Sequence, residues 1–271
     1  MKAIIIVFLI STNLSFGCSY SGITIWPPNL STINQNTLFV VTMRGHNYMR
    51  QIREGRFMYL INRFDTITFE LVDSSIGEYS FIQAVLKPAK KLAYKTNYCM
   101  DYDTSIPNDV VSLIEKNYIR KKTVYKTEAI YPWWIVADSN ELKQYPPKPT
   151  LSFNESSYDD EGTSCETMYA DFNISTASDE PILYRLYIRS KKIDGYIFLT
   201  PSKYDSTLLY VNYDMINLQP FSFYSATVEA IDTWGRISSK SNKVTFNTPF
   251  IRSIDRIMFY TCGSILESII H

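Results

Sequence analysis

The stretch YSATVEAIDTWGRISSKSNKVTFNT, residues 224–248, predicts a β-hairpin. In its first half the residues at alternate positions are Tyr224, Ala226, Val228 and Ala230. The alternation returns at Val244, Phe246 and Thr248, after a turn that contains Gly235. A period of two places alternate side chains on opposite faces of a strand. The stretch therefore indicates two strands joined by a short, polar connection.

The composition favours a β protein with two domains. At roughly 100–150 residues per domain, a chain of 271 residues divides into two. Its 21 Tyr and 15 Phe suit the half-buried, pleated surface of sheets. Basic and acidic residues number 27 each, so the chain carries no electrostatic footprint for nucleic acid. Beyond the N-terminus we expect no membrane-spanning helix, because no apolar run reaches about 18 residues.

The N-terminus, MKAIIIVFLISTNLSFGCSY, has the pattern of a secretory signal peptide. Lys2 precedes an apolar core over residues 3–10, and Ser15 and Gly17 stand at the −3 and −1 positions of a cut before Cys18. We therefore expect residues 1–17 to be removed and the protein to be secreted or on the cell surface. One alternative is a buried first strand. Another is lipoprotein processing, which would attach a lipid anchor to Cys18, since the segment loosely resembles a bacterial lipobox.

Export makes disulfides the expected state of the cysteines, because thiols tend to pair outside a reducing cytosol. The four cysteines allow three connectivities, and they are Cys18, Cys99, Cys165 and Cys262. Two fall in each half, so the simplest pairing is Cys18–Cys99 and Cys165–Cys262, with buried free thiols as the alternative. A zinc site is disfavoured, because no C-x-x-C spacing occurs and the histidines are His46 and His271.

A proline-rich linker, QYPPKPTLSF at residues 144–153, divides the chain near Tyr145. The predicted domains are residues 18–144 and 145–248, followed by a tail at 249–271. After the linker, strand patterns recur at regular spacing, and residues 155–164 indicate a polar loop. The predicted strands before the hairpin are Thr150–Asn154, Cys165–Ile174, Ile182–Arg189, Gly195–Leu199 and Thr207–Tyr213. About seven strands in a hundred residues are typical of a β-sandwich.

The segment LQPFSFY places Leu218, Pro220 and Tyr224 in the pattern of a tyrosine corner, where a core tyrosine bonds back to the preceding turn. Over residues 146–248 the chain resembles the fibronectin type III family, whose pattern runs L-x-P-x-T-x-Y-x-V-x-A before a glycine turn. The matching positions are Leu218, Pro220, Ser222, Tyr224, Ala226, Val228, Ala230, Gly235, Ser241, Val244 and Thr248. The core tryptophan of the family's strand B is absent, and Tyr169 or Phe172 would fill its space.

The first half contains a fainter version of the same corner. Leu92, Thr96 and Tyr98 stand at the same offsets as Leu218, Ser222 and Tyr224. Strand-like stretches occupy residues 36–43, 65–72, 78–86 and 131–138, and residues 105–118 have a helical spacing. The segment IWPPNLSTINQNTLFVVT, residues 25–42, resembles the opening of Ig-like domains of bacterial surface proteins. We therefore expect an all-β chain of two tandem Ig-like/fibronectin type III sandwiches.

The sequence contains no recognisable set of catalytic residues. His46 lies in a polar, loop-like stretch, and no nucleophile elbow, P-loop or dinucleotide fingerprint occurs. Asp159, Asp160 and Glu161 are adjacent, which does not hold two carboxyl groups apart across a sugar, so they indicate a solvated loop. We expect no enzyme activity, no cofactor and no metal.

Tryptophans are the candidate binding residues. Of Trp133 and Trp134, one is expected to fill the core while its neighbour points outward. Trp234 lies in the hairpin turn, where we expect it to be exposed. Cytokine receptors carry a W-S-x-W-S motif near this place, and WGRISSKS supplies one Trp and several Ser.

The predicted function is non-catalytic binding or adhesion, with a protein or glycan partner recognised by loops on rigid sheets. One alternative is a secreted, receptor-like protein that captures a protein ligand at the interdomain elbow near Tyr145. It would carry glycans at the sequons that begin at Asn29, Asn154 and Asn173. The other alternative is a sugar-binding accessory protein of a surface enzyme system.

Overall fold

A computed structural model describes residues 23–44, 46–56, 58–77, 81–102, 121–123, 126–128, 132–138, 144–159, 167–201, 206–212 and 215–249. The predicted signal peptide, the helical spacing at residues 105–118 and the tail beyond residue 249 lie outside these ranges. In the described part of the chain, no helix is long and apolar enough to cross a membrane.

The first sandwich is built from strands at residues 24–136. In chain order its elements are β1 (Thr24–Trp26), β2 (Thr32–Ile33), β3 (Phe39–Arg44), α1 (His46–Arg53), β4 (Met58–Ile61), β5 (Thr66–Ile76), β6 (Phe81–Pro88), β7 (Asn97–Tyr102), β8 (Lys121–Thr123), β9 (Lys126–Glu128) and β10 (Trp133–Val136). Neighbouring strands run in the order β1-β3-β6-β5-β4-β7-β10-β2, while β8 and β9 form a separate hairpin.

Strand β5 belongs to both layers of this sandwich. Residues 66–68 pair with β4, and residues 69–76 pair with β6. The register shifts between Leu71 and Asp73, a bulge that accompanies the change of partner. The two layers are therefore β1-β3-β6-β5 and β5-β4-β7-β10-β2.

The second sandwich has the seven strands that its sequence predicts. They are β11 (Thr150–Asp159), β12 (Thr167–Ser175), β13 (Leu183–Arg189), β14 (Asp194–Leu199), β15 (Leu208–Asn212), β16 (Phe223–Ile231) and β17 (Val244–Asn247). One sheet has the order β11-β12-β15 and the other β14-β13-β16-β17. The prediction of an all-β chain with two tandem Ig-like/FN3-like sandwiches is confirmed.

Each sandwich encloses its own apolar core. In the first, the Phe39 ring lies between those of Phe69 and Trp134, at 5.2 and 5.0 Å between centroids. In the second, Phe246 contacts Phe172 at 5.1 Å and Tyr224 at 5.3 Å. Of the two residues expected to replace the missing tryptophan, Phe172 is fully buried, and Tyr169 lies on the outer face of β12.

Both sandwiches contain the same tyrosine corner. The backbone N–H of Gln219 donates a hydrogen bond to the Tyr224 hydroxyl at 2.7 Å, and Leu218 is fully buried before it. In the first sandwich the N–H of Ala93 donates to the Tyr98 hydroxyl at 3.1 Å. Both bonds span five residues. Strands β7 and β16 therefore occupy equivalent places, each between two antiparallel neighbours, which are β4 and β10 for β7 and β13 and β17 for β16.

Two local expectations are wrong. Residues 155–159 were expected in a loop, but they continue β11 beyond a register shift between Phe153 and Glu155. His46 begins helix α1 instead of lying in a loop. The sequence around His46 is polar, but Met49 and Ile52 fall one helical turn apart and are buried in the first core.

A third apolar cluster joins the two sandwiches. Its buried members are Trp26, Val40, Val85, Leu183, Phe198 and Ile231, three from each sandwich. Beside it the Gln83 side chain donates to the Phe198 carbonyl at 2.6 Å and accepts from the Phe198 N–H at 2.8 Å. The sandwiches therefore pack against each other through a closed, hydrogen-bonded contact.

Candidate binding surfaces

Strand β10 separates the two adjacent tryptophans. Trp134 points into the first core, where it is fully buried and its indole N–H donates to the carbonyls of Pro27 and Pro28, both at 3.0 Å. Trp133 is half-buried on the opposite, outer face. Alternation along a strand requires this division, because successive side chains leave opposite faces.

The outer face of β4, β7 and β10 presents a row of apolar side chains. Ile61 pairs with Cys99, and Cys99 pairs with Trp133, so the three side chains lie side by side across three strands. They line a shallow groove of about 400 Å³ together with Asn62, Asn97 and Tyr98. We call the row Ile61, Cys99, Trp133 and Ile135 the Trp133 face.

Exposed apolar side chains lie on this face and in the loops next to its strands. Ile135 follows Trp133 on the same side of β10 and is 38 % exposed. The N–H of Leu30 donates to the Trp133 carbonyl at 2.9 Å, which places Leu30 beside the row. Phe64, in the turn between β4 and β5, is 87 % exposed. Clustered apolar residues such as the row of Ile61, Cys99 and Trp133 mark an interaction site more often than scattered apolar residues do.

Sequence reasoning did not find Ile61, Phe64 or Leu30. The run MYLI that forms β4 lies between Gly55 and the turn NRFD, and this bounded apolar run was the available signal. The Asn62 Oδ1 atom accepts a hydrogen bond from the Phe64 N–H at 2.7 Å, which holds Phe64 at the tip of that turn.

Cys99 is the one cysteine in the described part of the chain, and it has no disulfide partner within that part. Burial, and then the Asp101 carboxylate, raise the pKa of the thiol, so it stays protonated at neutral pH. Cys18, Cys165 and Cys262 lie outside the described residues, so both disulfides and the lipid anchor stay predictions. The described residues contain no group of three or more His, Cys, Asp or Glu side chains suited to a metal ion.

Trp234 is buried, which corrects the expectation that it is exposed. It is 8 % exposed because the turn that carries it packs against the first sandwich. Gly235, with φ of +77°, lies where a Cβ would approach the backbone nitrogen of Leu38 to 3.3 Å. Thr37 donates to the Thr233 carbonyl at 3.2 Å, and Thr233 donates to that of Thr32 at 2.9 Å.

The segment after Trp234 is also bound tightly. The N–H groups of Ala230 and Val228 donate to the hydroxyls of Ser238 and Ser241, at 2.9 and 3.0 Å. The N–H groups of the two serines donate back to the Ala230 and Val228 carbonyls, both at 2.9 Å. These serines have the three-residue spacing of the serines in W-S-x-W-S, and here they fasten the turn to β16.

The elbow between the sandwiches still presents one aromatic side chain. Tyr145 is 72 % exposed, and the Arg236 guanidinium carbon lies 5.6 Å from its ring centroid. The same carbon lies 5.1 Å from the Trp234 ring, and Arg236 forms an ion pair with buried Asp232 at 2.5 Å. Tyr145 is therefore the outermost member of a stack that begins in the interdomain contact.

No family model matches the chain, and no curated protein matches it. Among solved structures, a cytokine receptor complex aligns at 8 % identity with a TM-score of 0.27, over 85 % of this chain and 98 % of that one. The FN1-FN3 domains of chicken CNTN1 align at 8 % identity with a TM-score of 0.25, over 85 % of this chain and 65 % of that one. Type I pullulanase of Bacillus subtilis strain 168, complexed with maltose, aligns at 7 % identity with a TM-score of 0.22, over 80 % of this chain and 24 % of that one. The chain thus spans about a quarter of the pullulanases' length. With TM-scores this low, the fold assignment depends on the sheet topology above.

Proposed function

We propose that the chain is a secreted or cell-surface, non-catalytic binding protein that recognises a protein partner through the Trp133 face. The observation that carries this proposal is the row of Ile61, Cys99 and Trp133, open across three paired strands. Tryptophan is enriched among the residues that dominate binding energy, and apolar neighbours exclude water around it. Paired strands hold the row in place, so binding orders few side chains.

A protein partner is favoured over a glycan by the chemistry of the groove. A sugar ring stacks on tryptophan, but its hydroxyls also need polar partners. The groove lining offers the Asn62 and Asn97 amides, and the Asn62 Oδ1 already accepts the Phe64 N–H. Ile61, Cys99 and Trp133 instead match the apolar side chains of a protein. The flanking amides keep a glycan as the second candidate.

The finer assignment of the fold belongs to this proposal. We assign the second sandwich to the fibronectin type III kind and the first to an Ig-like kind. A receptor-like protein that captures its ligand at the elbow is supported by Tyr145, which is exposed and held by Arg236. The Trp133 face and the elbow are separate surfaces, so substitutions can distinguish them.

The test is binding of the fluorescently labelled protein to a panel of intact cells, untreated, protease-treated or enzymatically deglycosylated. Trp133→Ala should weaken binding by roughly 30-fold, which corresponds to about 2 kcal/mol for a hot-spot residue. Tyr145→Ala is the matched control, an exposed aromatic at the elbow, and should leave binding unchanged.

Each outcome assigns the surface. Loss of binding after protease, together with loss in Trp133→Ala, supports a protein partner at the Trp133 face. Loss after deglycosylation alone moves the assignment to a glycan. Loss in Tyr145→Ala with Trp133→Ala unaffected moves the site to the elbow, and loss in neither variant rules out both surfaces.

A further inference from the structure

A second, differently charged surface lies on the outer face of the sheet β11-β12-β15. Asp171 stands in the central strand, and its cross-strand neighbours are Glu155 on β11 and Tyr210 on β15. In the next row on the same face, Tyr169 stands between Ser157 and Asn212. The other five side chains surround Asp171, which is only 7 % exposed.

Three polar atoms in this surface are buried without a hydrogen-bond partner. Asp171 Oδ1 is buried with no hydrogen-bond partner, and the same holds for Asn212 Oδ1 and Ser157 Oγ. No described residue forms an ion pair with Asp171 or Glu155. A buried carboxylate without a donor or counter-charge costs free energy, so such a group in a native fold requires an explanation.

Aromatic rings border the carboxylate. The Tyr169 and Tyr210 rings lie 5.2 Å apart between centroids, and Tyr210 is 40 % exposed. Ring faces attract cations, and the attraction strengthens where water is excluded. Burial, and then the Glu155 carboxylate, raise the pKa of Asp171, as expected for a negative site without a counter-charge.

We propose that this face binds a cationic side chain, the guanidinium of arginine or the ammonium of lysine, presented by a protein partner. The cation supplies donors to Asp171 Oδ1 and Asn212 Oδ1, reduces the repulsion between the Asp171 and Glu155 carboxylates and packs against Tyr210. A divalent metal fits less well, because the face offers two carboxylates among the described residues and no further acidic ligand. The site lies on the other sandwich from the Trp133 face, so either can fail alone.

The test uses the full chain, with amide chemical shifts of residues 155, 171 and 210–212 as the readout. The probes are N-acetyl-arginine amide, N-acetyl-lysine amide and the neutral isostere N-acetyl-citrulline amide, with CaCl2 in a separate titration. At least one cationic probe should produce saturable shifts, at least tenfold tighter than citrulline. The comparison of arginine with lysine identifies the headgroup.

Asp171→Asn keeps the shape and should abolish the saturable shifts, and Glu155→Gln, at an exposed position, should weaken them several-fold. Asp179→Asn removes a charge from an exposed loop of the same sandwich and should change nothing. Three results overturn the proposal: no saturable shift with either cation, equal shifts with citrulline, or saturation by Ca²⁺ where both cations fail. If Asp171→Asn binds as wild type and is more stable to heat, Asp171 is a strained structural residue and the proposal is also overturned.

Discussion

Replacing Gln83 with alanine should uncouple the two sandwiches. The Gln83 carboxamide is 2 % exposed and makes two hydrogen bonds to the backbone of Phe198, at 2.6 and 2.8 Å. Its Nε2 also donates to the Thr42 hydroxyl at 3.1 Å. The variant leaves the Phe198 N–H and carbonyl buried without partners, which costs about 1 to 3 kcal/mol for each group. The free energy of unfolding should therefore fall by about 2 kcal/mol or more. The bonds lost to Phe198 are bonds between the two sandwiches, so the variant weakens the interdomain contact.

The assay is urea unfolding followed by tryptophan fluorescence and far-UV circular dichroism. Trp26 and Trp234 lie at the contact, and Trp134 lies in the first core. Because the contact links the sandwiches, wild type should unfold in one transition, and Gln83→Ala should lower the midpoint and separate the two probes. Gln35→Ala is the matched control. It removes one bond, from Gln35 to the Leu92 carbonyl at 2.7 Å, within the first sandwich.

Gln35→Ala should cost about 0.5 to 1.5 kcal/mol and keep the transitions coupled as in wild type. The reasoning is refuted if Gln83→Ala has the midpoint and slope of wild type. It is also refuted if both glutamine variants separate the probes equally, since the effect would then belong to the first sandwich alone.

Three further outcomes follow from the corners, a buried phenol and the N-terminus. Tyr98→Phe and Tyr224→Phe should each destabilise by about 1 kcal/mol in chemical unfolding, and a neutral Tyr98→Phe would contradict the equivalence of the corners. Burial and the hydrogen bond to Glu229 raise the pKa of Tyr187 from 10 to about 12, so folding favours the protonated phenol. Stability from this group is complete below pH 10 and should fall as the pH rises through about 12, a dependence that Tyr187→Phe should remove in base-titrated unfolding. Intact mass of the natively produced protein should show a chain that begins at Cys18 and gains mass on reduction, whereas acyl mass on Cys18 or retained Met1 would contradict the predicted processing.

The strands of the second sandwich could be predicted because each carries its own pattern. In β13, alternate side chains from Tyr184 to Ile188 are buried, since one face of the strand lies on the core. The tyrosine corner could be predicted for the same reason, because Leu218 and Tyr224 are only six positions apart and the Tyr224 hydroxyl bonds to Gln219 between them. Strand alternation and the corner both depend on residues that are close in the chain, so a single sequence is enough to predict them.

The interdomain contact could not be read in this way. The bond from Thr37 to the Thr233 carbonyl joins residues 196 positions apart, and no local pattern encodes it. Because a turn tip is normally exposed, the sequence predicts that Trp234 is exposed to solvent. In the structure the backbone of Gly235 lies against the first sandwich, and Trp234 is buried. Ile231 lies on the face of β16 opposite the second core, and it is buried because it belongs to the cluster that joins the sandwiches.

The parallel pairing of β2 with β10 determines how the first sandwich bears mechanical load. Strand β2 follows the N-terminal end of this sandwich, and β10 leads toward the second. Three backbone bonds join them, from Leu30 to Trp133, Ile135 to Ser31 and Ala137 to Ile33. Pulling the two ends apart draws parallel strands past each other, so the bonds share the force and do not open one after another. The sandwich should therefore resist tension along the chain more strongly than an antiparallel hairpin of the same length.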